Sequence, residues 1–499
     1  MRSRLLILIG VLVILVIAAW AISAPLLSRV VRGRVIDALE EDFASRLEVK
    51  TLDVSLFPRV AITGEGLVFR LKDRADAPPL FTIARFTARA NPLGLLARHV
   101  SQVQLEGLDI KVPPRKESPA RQPKSEKKPP RFVIDEIIAD GTRLTTVPRE
   151  AWKEPLEFEI SHLRLYGGGP ADAMSFDAHL TNAKPPGEIR STGKFGPWDR
   201  EEPGGTPVSG KYTFRDADLS VFKGIAGKLS SDGSYKGSLG RIEVAGAAQV
   251  PDFRLTIAGN PIRLTTQFQA VVDGTDGNTY LQPVNGQFGK TSLTAQGSVE
   301  GKKGVRGKTV SLDVDVQAGR LEDMLLLAVK GTDPAMRGAI HFRTRLVIPP
   351  GQVDVAEKIV LDGAFAVDAA HFSTLNVQQK VNELSHRGSA NPEESNKDTV
   401  ASDFRGQFQV DKGIVTLRGL SFTVPGVAVN LNGTYGLLGG EMDFRGTARL
   451  AAEVSQMTTG WKSLLLKAVD PLFKKKNAGA EIPIRIKGTP EKPSFGLAL

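Results

Sequence analysis

From Phe404 to Leu450 the chain reads FRGQFQVDKGIVTLRGLSFTVPGVAVNLNGTYGLLGGEMDFRGTARL, and apolar residues alternate with polar ones almost throughout. A period of two sends successive side chains to opposite faces of a strand, so the stretch is constrained to β-structure with one apolar face. Phe404, Gly406, Phe408 and Val410 fall on one side, against Arg405, Gln407, Gln409 and Asp411 on the other. Phe422 follows, then Val427, Val429, Leu431 and Tyr435, then Met442, Phe444, Ala448 and Leu450. Hardly any residue in the stretch could do chemistry.

The pattern is not local. LDVSLFPRVAITGEGLVFRL, FTIARFTARA and VSQVQLEGLDIKVPP carry the same period, and Gly193, Gly210, Gly233, Gly246, Gly259, Gly274, Gly286 and Gly297 punctuate the middle of the chain. Turn signals at that spacing predict antiparallel meanders, and no alternation of strands with helices supports a doubly wound fold. Two helical interruptions are predicted, near residues 319–331 and at 455–477. A chain of 499 residues is too long for one ordinary core, which leaves several domains or an elongated form. The apolar face is covered either by a second sheet, as in a sandwich, or left as the floor of a curled, groove-like sheet. Few helices are available as covers, which favours the groove.

Leu5 to Ile22 is an unbroken apolar run, extended by Ser23 and Ala24. Twenty residues at ~1.5 Å each reach about 30 Å, enough for a transmembrane helix, with Leu5, Leu8, Leu12, Leu15 and Trp20 among the anchor residues. A cleaved signal peptide is the rival, but its apolar region is only ~7–15 residues long. Arginines flank both sides, so charge does not orient the span. Val30, Val31, Val35, Leu39, Phe43 and Leu47 then predict an amphipathic helix leaving the membrane surface. The net charge of +10 is half accounted for by PPRKESPARQPKSEKKPPR, residues 113–131, with seven Lys/Arg and two Glu. It reads as a solvated linker, with anionic lipid contact as the alternative. No basic helix is interleaved with aromatics, so nucleic acid is not an expected partner. The 455–477 segment places Leu464, Leu465, Val469, Leu472 and Phe473 before Lys474–Lys476, which suits either a cap on the last strands or a membrane contact.

No stretch of the chain carries a recognisable catalytic or metal-binding pattern. No cysteine is present, which excludes disulfides, thiolate zinc sites and iron–sulfur clusters. The six histidines, at 99, 162, 179, 341, 371 and 386, are not paired at metal-ligand spacing. Gly289-Lys290-Thr291 echoes a phosphate loop, but the first glycine it needs falls on Val284. Asp273, Asp276 and Asn278 fail the calcium-loop spacing and suit a hairpin turn. No catalytic residue, metal ligand or cofactor site is proposed, and no enzyme is expected.

Four stretches carry a resemblance. They are the anchor running into LDVSLFPRVAITGEGLVFR, then NPLGLLARHVSQVQLEGLDIKV, then the stretch from MRGAIHFRTRLVIPPGQVDVAEKIVLDGAFAVDAAHFSTLNVQQKVNELSHRGSANPEES, and last the 404–450 stretch with GWKSLLLKAVDPLFKKKNAGAEIPIRIKGTPEKPSFGL. Together they resemble the AsmA-like family, the inner-membrane-anchored proteins related to TamB and YhdP. The match covers both ends and about half the chain; residues 160–310 share only a general β character. The resemblance implies a single-pass inner-membrane protein with its body in the periplasm. It also implies a β-groove that moves phospholipids between envelope membranes, or a part in outer-membrane biogenesis.

The expected organisation follows the chain. An anchor at 1–24 leads to a juxtamembrane helix at 25–47, an N-terminal AsmA-like β region at 48–112 and the linker at 113–131. A central β region at 132–318 precedes an AsmA-like C-terminal β region at 319–454, an amphipathic helix at 455–480 and terminal strands at 481–499. The fold class is mainly β: a transmembrane helix, then an elongated, curled antiparallel sheet with a few short helices. Phe404, Phe408, Val410, Phe422, Val429, Leu431 and Phe444 are the groove candidates. Phospholipids are the expected ligand, with outer-membrane or other envelope proteins as further partners. The rival function is a structural assembly factor for outer-membrane proteins, which would display a long unprotected sheet edge instead.

Overall fold

The computed structural model describes residues 33, 36, 37, 40, 45–55, 60–71, 78–91, 99–113, 133–148, 155–168, 172–199, 202–373, 382, 385, 402–450, 481–489 and 492–497. The expected anchor with Leu5, Leu8, Leu12, Leu15 and Trp20, the basic linker after Pro113 and the helix at 455–480 lie outside these residues. Among the described residues no helix is long and apolar enough to cross a membrane. The chain is mainly β, with 26 strands hydrogen-bonded into a mixed sheet. It divides into two compact units: Met1–Ala217, Asp232–Ala245 and Val271–Asn278 form the first, and Asp218–Ser231, Gly246–Ala270 and Thr279–Leu499 the second.

Unit 1 begins with β1 (Ser45–Glu48), β2 (Thr51–Ser55), β3 (Val60–Leu71), β4 (Phe81–Ala90) and β5 (His99–Val112). It continues through β6 (Val133–Ile138), β7 (Thr142–Thr146), β8 (Leu156–Gly168), β9 (Met174–Ala183), β10 (Pro186–Phe195) and β11 (Pro207–Asp218). β1 corrects the end of the helix expected at 25–47. Leu47 lies opposite Phe69 of β3 and is buried with Leu52, Leu67, Ile83, Phe86 and Leu108, so it joins a strand core, not a helical stripe. Arg70 reaches back to Glu48 at 3.1 Å on the polar face of the same pair.

A second correction concerns strand direction. β5 pairs in parallel with both β6 and β7, so the sheet is not wholly antiparallel. The physical reason is the connection. Parallel neighbours need a crossover of about a dozen residues or more, and 113–132 supplies one between the end of β5 and the start of β6. β8 then turns antiparallel to β6 and β7, and the meander resumes through β9, β10 and β11.

The next strands are β12 (Ile225–Ala226), β13 (Lys228–Ser238), β14 (Arg241–Leu255) and β15 (Ile262–Val272), the last three holding residues of both units. Unit 2 then runs as a meander through β16 (Thr279–Phe288), β17 (Thr291–Gly301), β18 (Lys308–Arg320), β19 (Met336–Ile348) and β20 (Val360–Phe372). It ends with β21 (Ser402–Asp411), β22 (Ile414–Val424), β23 (Val427–Gly436), β24 (Met442–Leu450), β25 (Glu481–Thr489) and β26 (Lys492–Leu497). Each strand from β16 onward is antiparallel to the next. All seven ladders from β16–β17 to β22–β23 carry a register shift. A bulge adds one residue on one side and bends the strand that carries it.

Helix α1 (Leu321–Ala328) sits in the connection from β18 to β19 and turns Leu321 onto Ile340, Val367 and Ala370. Buried polar groups fix both its ends. Asp323 accepts from the Lys290 backbone N–H and the Thr291 hydroxyl, each at 2.8 Å. At the other end the Asn260 amide donates to the carbonyl of Leu326 in the last turn, which the helix leaves open, and to those of Val329 and Gly331 just beyond it, at 2.8–3.0 Å. The second helix, α2 (Val355–Lys358), is one turn capped by Asp354.

Candidate functional site

Residues opposite one another on adjacent strands share a face, so the ladder registers assemble the apolar surface of unit 2 row by row. One row runs Ile340, Val367, Phe404, Phe422, Val429 and Ala448 across six strands. Another runs Val314, Thr344, Gly363, Phe408, Leu417, Gly433, Phe444 and Ile486. Upstream, Leu312 and Val314 lie opposite Gly297 and Ala295, and Ala295 lies opposite Val284. From β16 to β25, ten successive strands therefore present apolar residues or glycine on one face; in these rows Thr344 is the polar member.

The bulges keep that face continuous. In β22 the apolar positions change from odd to even between Leu417 and Leu420, where Arg418 and Gly419 form the irregularity. Gly419 has φ +56°, a left-handed conformation that side chains with a Cβ rarely adopt. Rings lie over facing glycines: Phe365 is opposite Gly406 and Phe408 opposite Gly363, with the two ring centroids 6.2 Å apart. A Cβ added at Gly363 would come within 2.9 Å of the Phe408 ring, so the glycine is what lets the ring lie down.

All seven sequence-derived groove candidates fall on this face, at two depths. Phe404, Phe408, Phe422 and Phe444 are half-buried, whereas Val410, Val429 and Leu431 are buried. Val429 and Leu431 are covered by neighbours on the same face, including Phe422, Phe444, Ile484 and Ile486. Phe404 packs at a tilt on Phe422, ring centroids 4.8 Å apart, and meets Phe372 edge-on at 6.4 Å. The apolar clusters of unit 2 draw their members from neighbouring strands and α1, with no facing sheet contributing to them among the described residues.

The opposite face is ionic. Arg343 meets Asp315 at 2.7 Å across β18–β19, and Arg485 grips both carboxylate oxygens of Asp443 at 2.8 and 3.0 Å across β24–β25. The Arg485 hydrogen bonds hold the Asp443 carboxyl down at about 2. These pairs are solvent-facing and set which side of the sheet meets water.

Unit 1 repeats the device more polarly. Leu163, Leu165, Leu180, Ala178, Phe176, Ile189 and Phe214 share its face on β8 to β11, again with a register shift, at Ile160/His162. Ser191 interrupts them. Its hydroxyl donates to Lys211 O at 3.0 Å and meets the Tyr235 hydroxyl at 2.7 Å; burial pushes the Tyr235 pKa up.

Side chains singled out for chemistry are occupied structurally. The phosphate-loop echo at Gly289-Lys290-Thr291 faces the buried Asp323 carboxylate, a negative charge where a phosphate would have to sit. Asp273 accepts from the backbone and hydroxyl of Thr275, and Asp276 from the backbone of Asn278, which are local turn bonds. His162 and His179 stack at 5.1 Å on β8–β9, with Asp140 3.4 Å from His162 but held by Arg164 at 2.6 Å. That arginine lowers the Asp140 pKa. Among the described residues no group of three or more His, Asp or Glu could hold a metal ion.

No protein-family model, curated protein or solved structure matches the chain.

Proposed function

We propose that the chain is a membrane-anchored periplasmic lipid-binding protein that carries or guides phospholipids between envelope membranes along the apolar face of its sheet. One observation supports this reading above the rest: ten successive strands of unit 2 keep one apolar face in register, and its central phenylalanines are only half-buried. Burying each acyl CH₂ is worth about 0.8 kcal/mol, so a sixteen-carbon chain represents ~12 kcal/mol that water alone would withhold from transfer. A strip of Val, Leu and Phe offsets that cost without any catalytic group, and many similar contacts let a chain slide where one deep pocket would hold it. The anchor and compartment in this reading come from the N-terminal sequence and the AsmA-like resemblance. The rival assembly-factor reading calls for an open sheet edge. The last strand, β26, carries Lys492 and Pro493, both residues that protect edges, so that reading is less favoured.

The test is photo-crosslinking. Benzoylphenylalanine is placed singly at Leu312, Phe342, Phe408 and Phe444 on the apolar face, and at Arg343 and Gln407 on the ionic face. Phospholipid adducts are expected from the first four and not from the last two. Equal labelling of both faces, or none, would overturn the proposal.

A further inference from the structure

In an antiparallel meander every second connection lies at the same end of the sheet. In unit 2 these are the turns joining β17 to β18, β19 to β20, β21 to β22 and β23 to β24. Their register places them together: Gly301 faces Lys308, Val310 faces Ile348, Leu361 faces Val410, and Ile414 faces both Asp411 and Gly436. They also touch. Leu437 N–H donates to Gly413 O at 2.8 Å, and a Cβ added at Gly307 would stand 2.9 Å from Pro350. The Val355 N–H donates to Lys223 O at 3.0 Å, which brings the turn containing Val221 to the same end.

Each of the four turns, or the strand residue next to it, holds one large aliphatic side chain out in water: Val305 at 41%, Val353 at 51%, Ile414 (the first residue of β22) at 50% and Leu438 at 60% exposure. With Val221 they make five of the eight large hydrophobics exposed among the described residues, whereas the opposite end has Val329. A single exposed aliphatic means little, but a row of them at one sheet end is a docking surface. Basic charge is concentrated in one turn, while the other three hold Asp354, Glu357, Asp411 and Glu441 against Lys358 and Lys412. The turn at 302–308 contains Lys302, Lys303, Arg306 and Lys308 and no acid. Protein interfaces are depleted in lysine and centre on a buried, more apolar core. A membrane boundary takes the reverse: separate aliphatic tips among the acyl chains, with basic heads on the lipid phosphates.

We propose that these four turns form a membrane-docking end, inserting Val305, Val353, Ile414 and Leu438 into an anionic bilayer surface with the 302–308 turn on its phosphates. This stands on the turns alone and holds whether or not the sheet face carries lipid. Because the chain has no cysteine, single labels are clean. Full-length protein in phosphatidylcholine nanodiscs receives a polarity-sensitive dye at Val305→Cys, Val353→Cys, Ile414→Cys, Leu438→Cys or, at the opposite end, Val329→Cys. Vesicles of phosphatidylcholine with phosphatidylglycerol should shift the four tip labels toward an apolar environment and leave the Val329→Cys label unchanged. Exchanging Lys302, Lys303 and Arg306 together for serine should lower vesicle affinity roughly a hundredfold. No shift at the tips, as expected if they dock on protein instead, would overturn the proposal; so would an equal shift at Val329→Cys. Loss of vesicle binding with unchanged acyl crosslinking on the sheet face would separate this surface from the lipid path.

Discussion

Val429 and Phe408 lie on one face of the same sheet, yet a charge at each should have opposite consequences. Val429 is 5% exposed beneath Phe422 and Phe444, so Val429→Asp buries an unpaired carboxylate and should cost several kcal/mol, seen as a large fall in Tm. Phe408 is half-buried at the surface of the face, so Phe408→Asp leaves its carboxylate within reach of water; the chain should fold while binding less lipid. A folded Val429→Asp protein would show that this part of the face is open, and an unfolded Phe408→Asp protein that the whole face is closed core. On the ionic face, Arg485 depresses the Asp443 pKa to about 2 from an ordinary 3.8. The pair therefore contributes stability that is fully present above the ordinary value and is lost as pH falls through about 2. In Arg485→Gln the Asp443 carboxyl should titrate closer to 3.8 by NMR, and acid unfolding between these values should lose that contribution.

Strands were the part of the fold most open to reading from sequence, because a period of two survives in every segment of the 404–450 stretch. Their irregularities were not. Arg418-Gly419 looks like any polar turn residue pair, yet it is a bulge that moves the apolar positions from Leu417 to Leu420 without breaking the face. β1 was hidden because Phe43 and Leu47 are four apart, a spacing that suits a helix as well as a four-residue strand suits SRLE. The aliphatic turn tips carry no periodic signal, since one Val or Leu in a polar turn is unremarkable until the register gathers them. Parallel pairing of β5 was equally illegible: direction follows from where a long connection returns, and local pattern is silent about that. This has a measurable consequence. Pro and charged residues make 113–131 the expected first site of limited proteolysis. The cut ends flank β5 and β6, which are held by their own ladder, and β7 and β8 extend it. Cleavage should therefore give two bands on a denaturing gel and one particle by size exclusion. Separation of the fragments in native buffer would mean that the β5–β6 and β5–β7 ladders are too weak to hold the sheet together.

Across the whole molecule, the repeated unit of architecture is a strand with one apolar and one ionic side, and the number of such strands sets how much lipid can be held. The ten strands of unit 2's face have nine spacings of about 4.8 Å, or ~43 Å along the ladder. One leaflet of hydrocarbon is about 15 Å deep, half of a ~30 Å core. A face nearly three leaflets long has no position that distinguishes a first lipid from a second, because Val, Leu, Ile, Phe and Gly recur row after row. A single-site binder would instead concentrate its apolar contacts and saturate at one. Native mass spectrometry of the gently solubilised full chain is therefore expected to show a ladder of phospholipid adducts, with two or more per protein. Placing a charge mid-face, at Phe408, should shorten that ladder without abolishing it, since the strands on either side remain apolar. A sharp one-to-one stoichiometry that Phe408→Asp removes completely would point to a discrete pocket, and no adduct in the unaltered chain would sink the lipid reading itself.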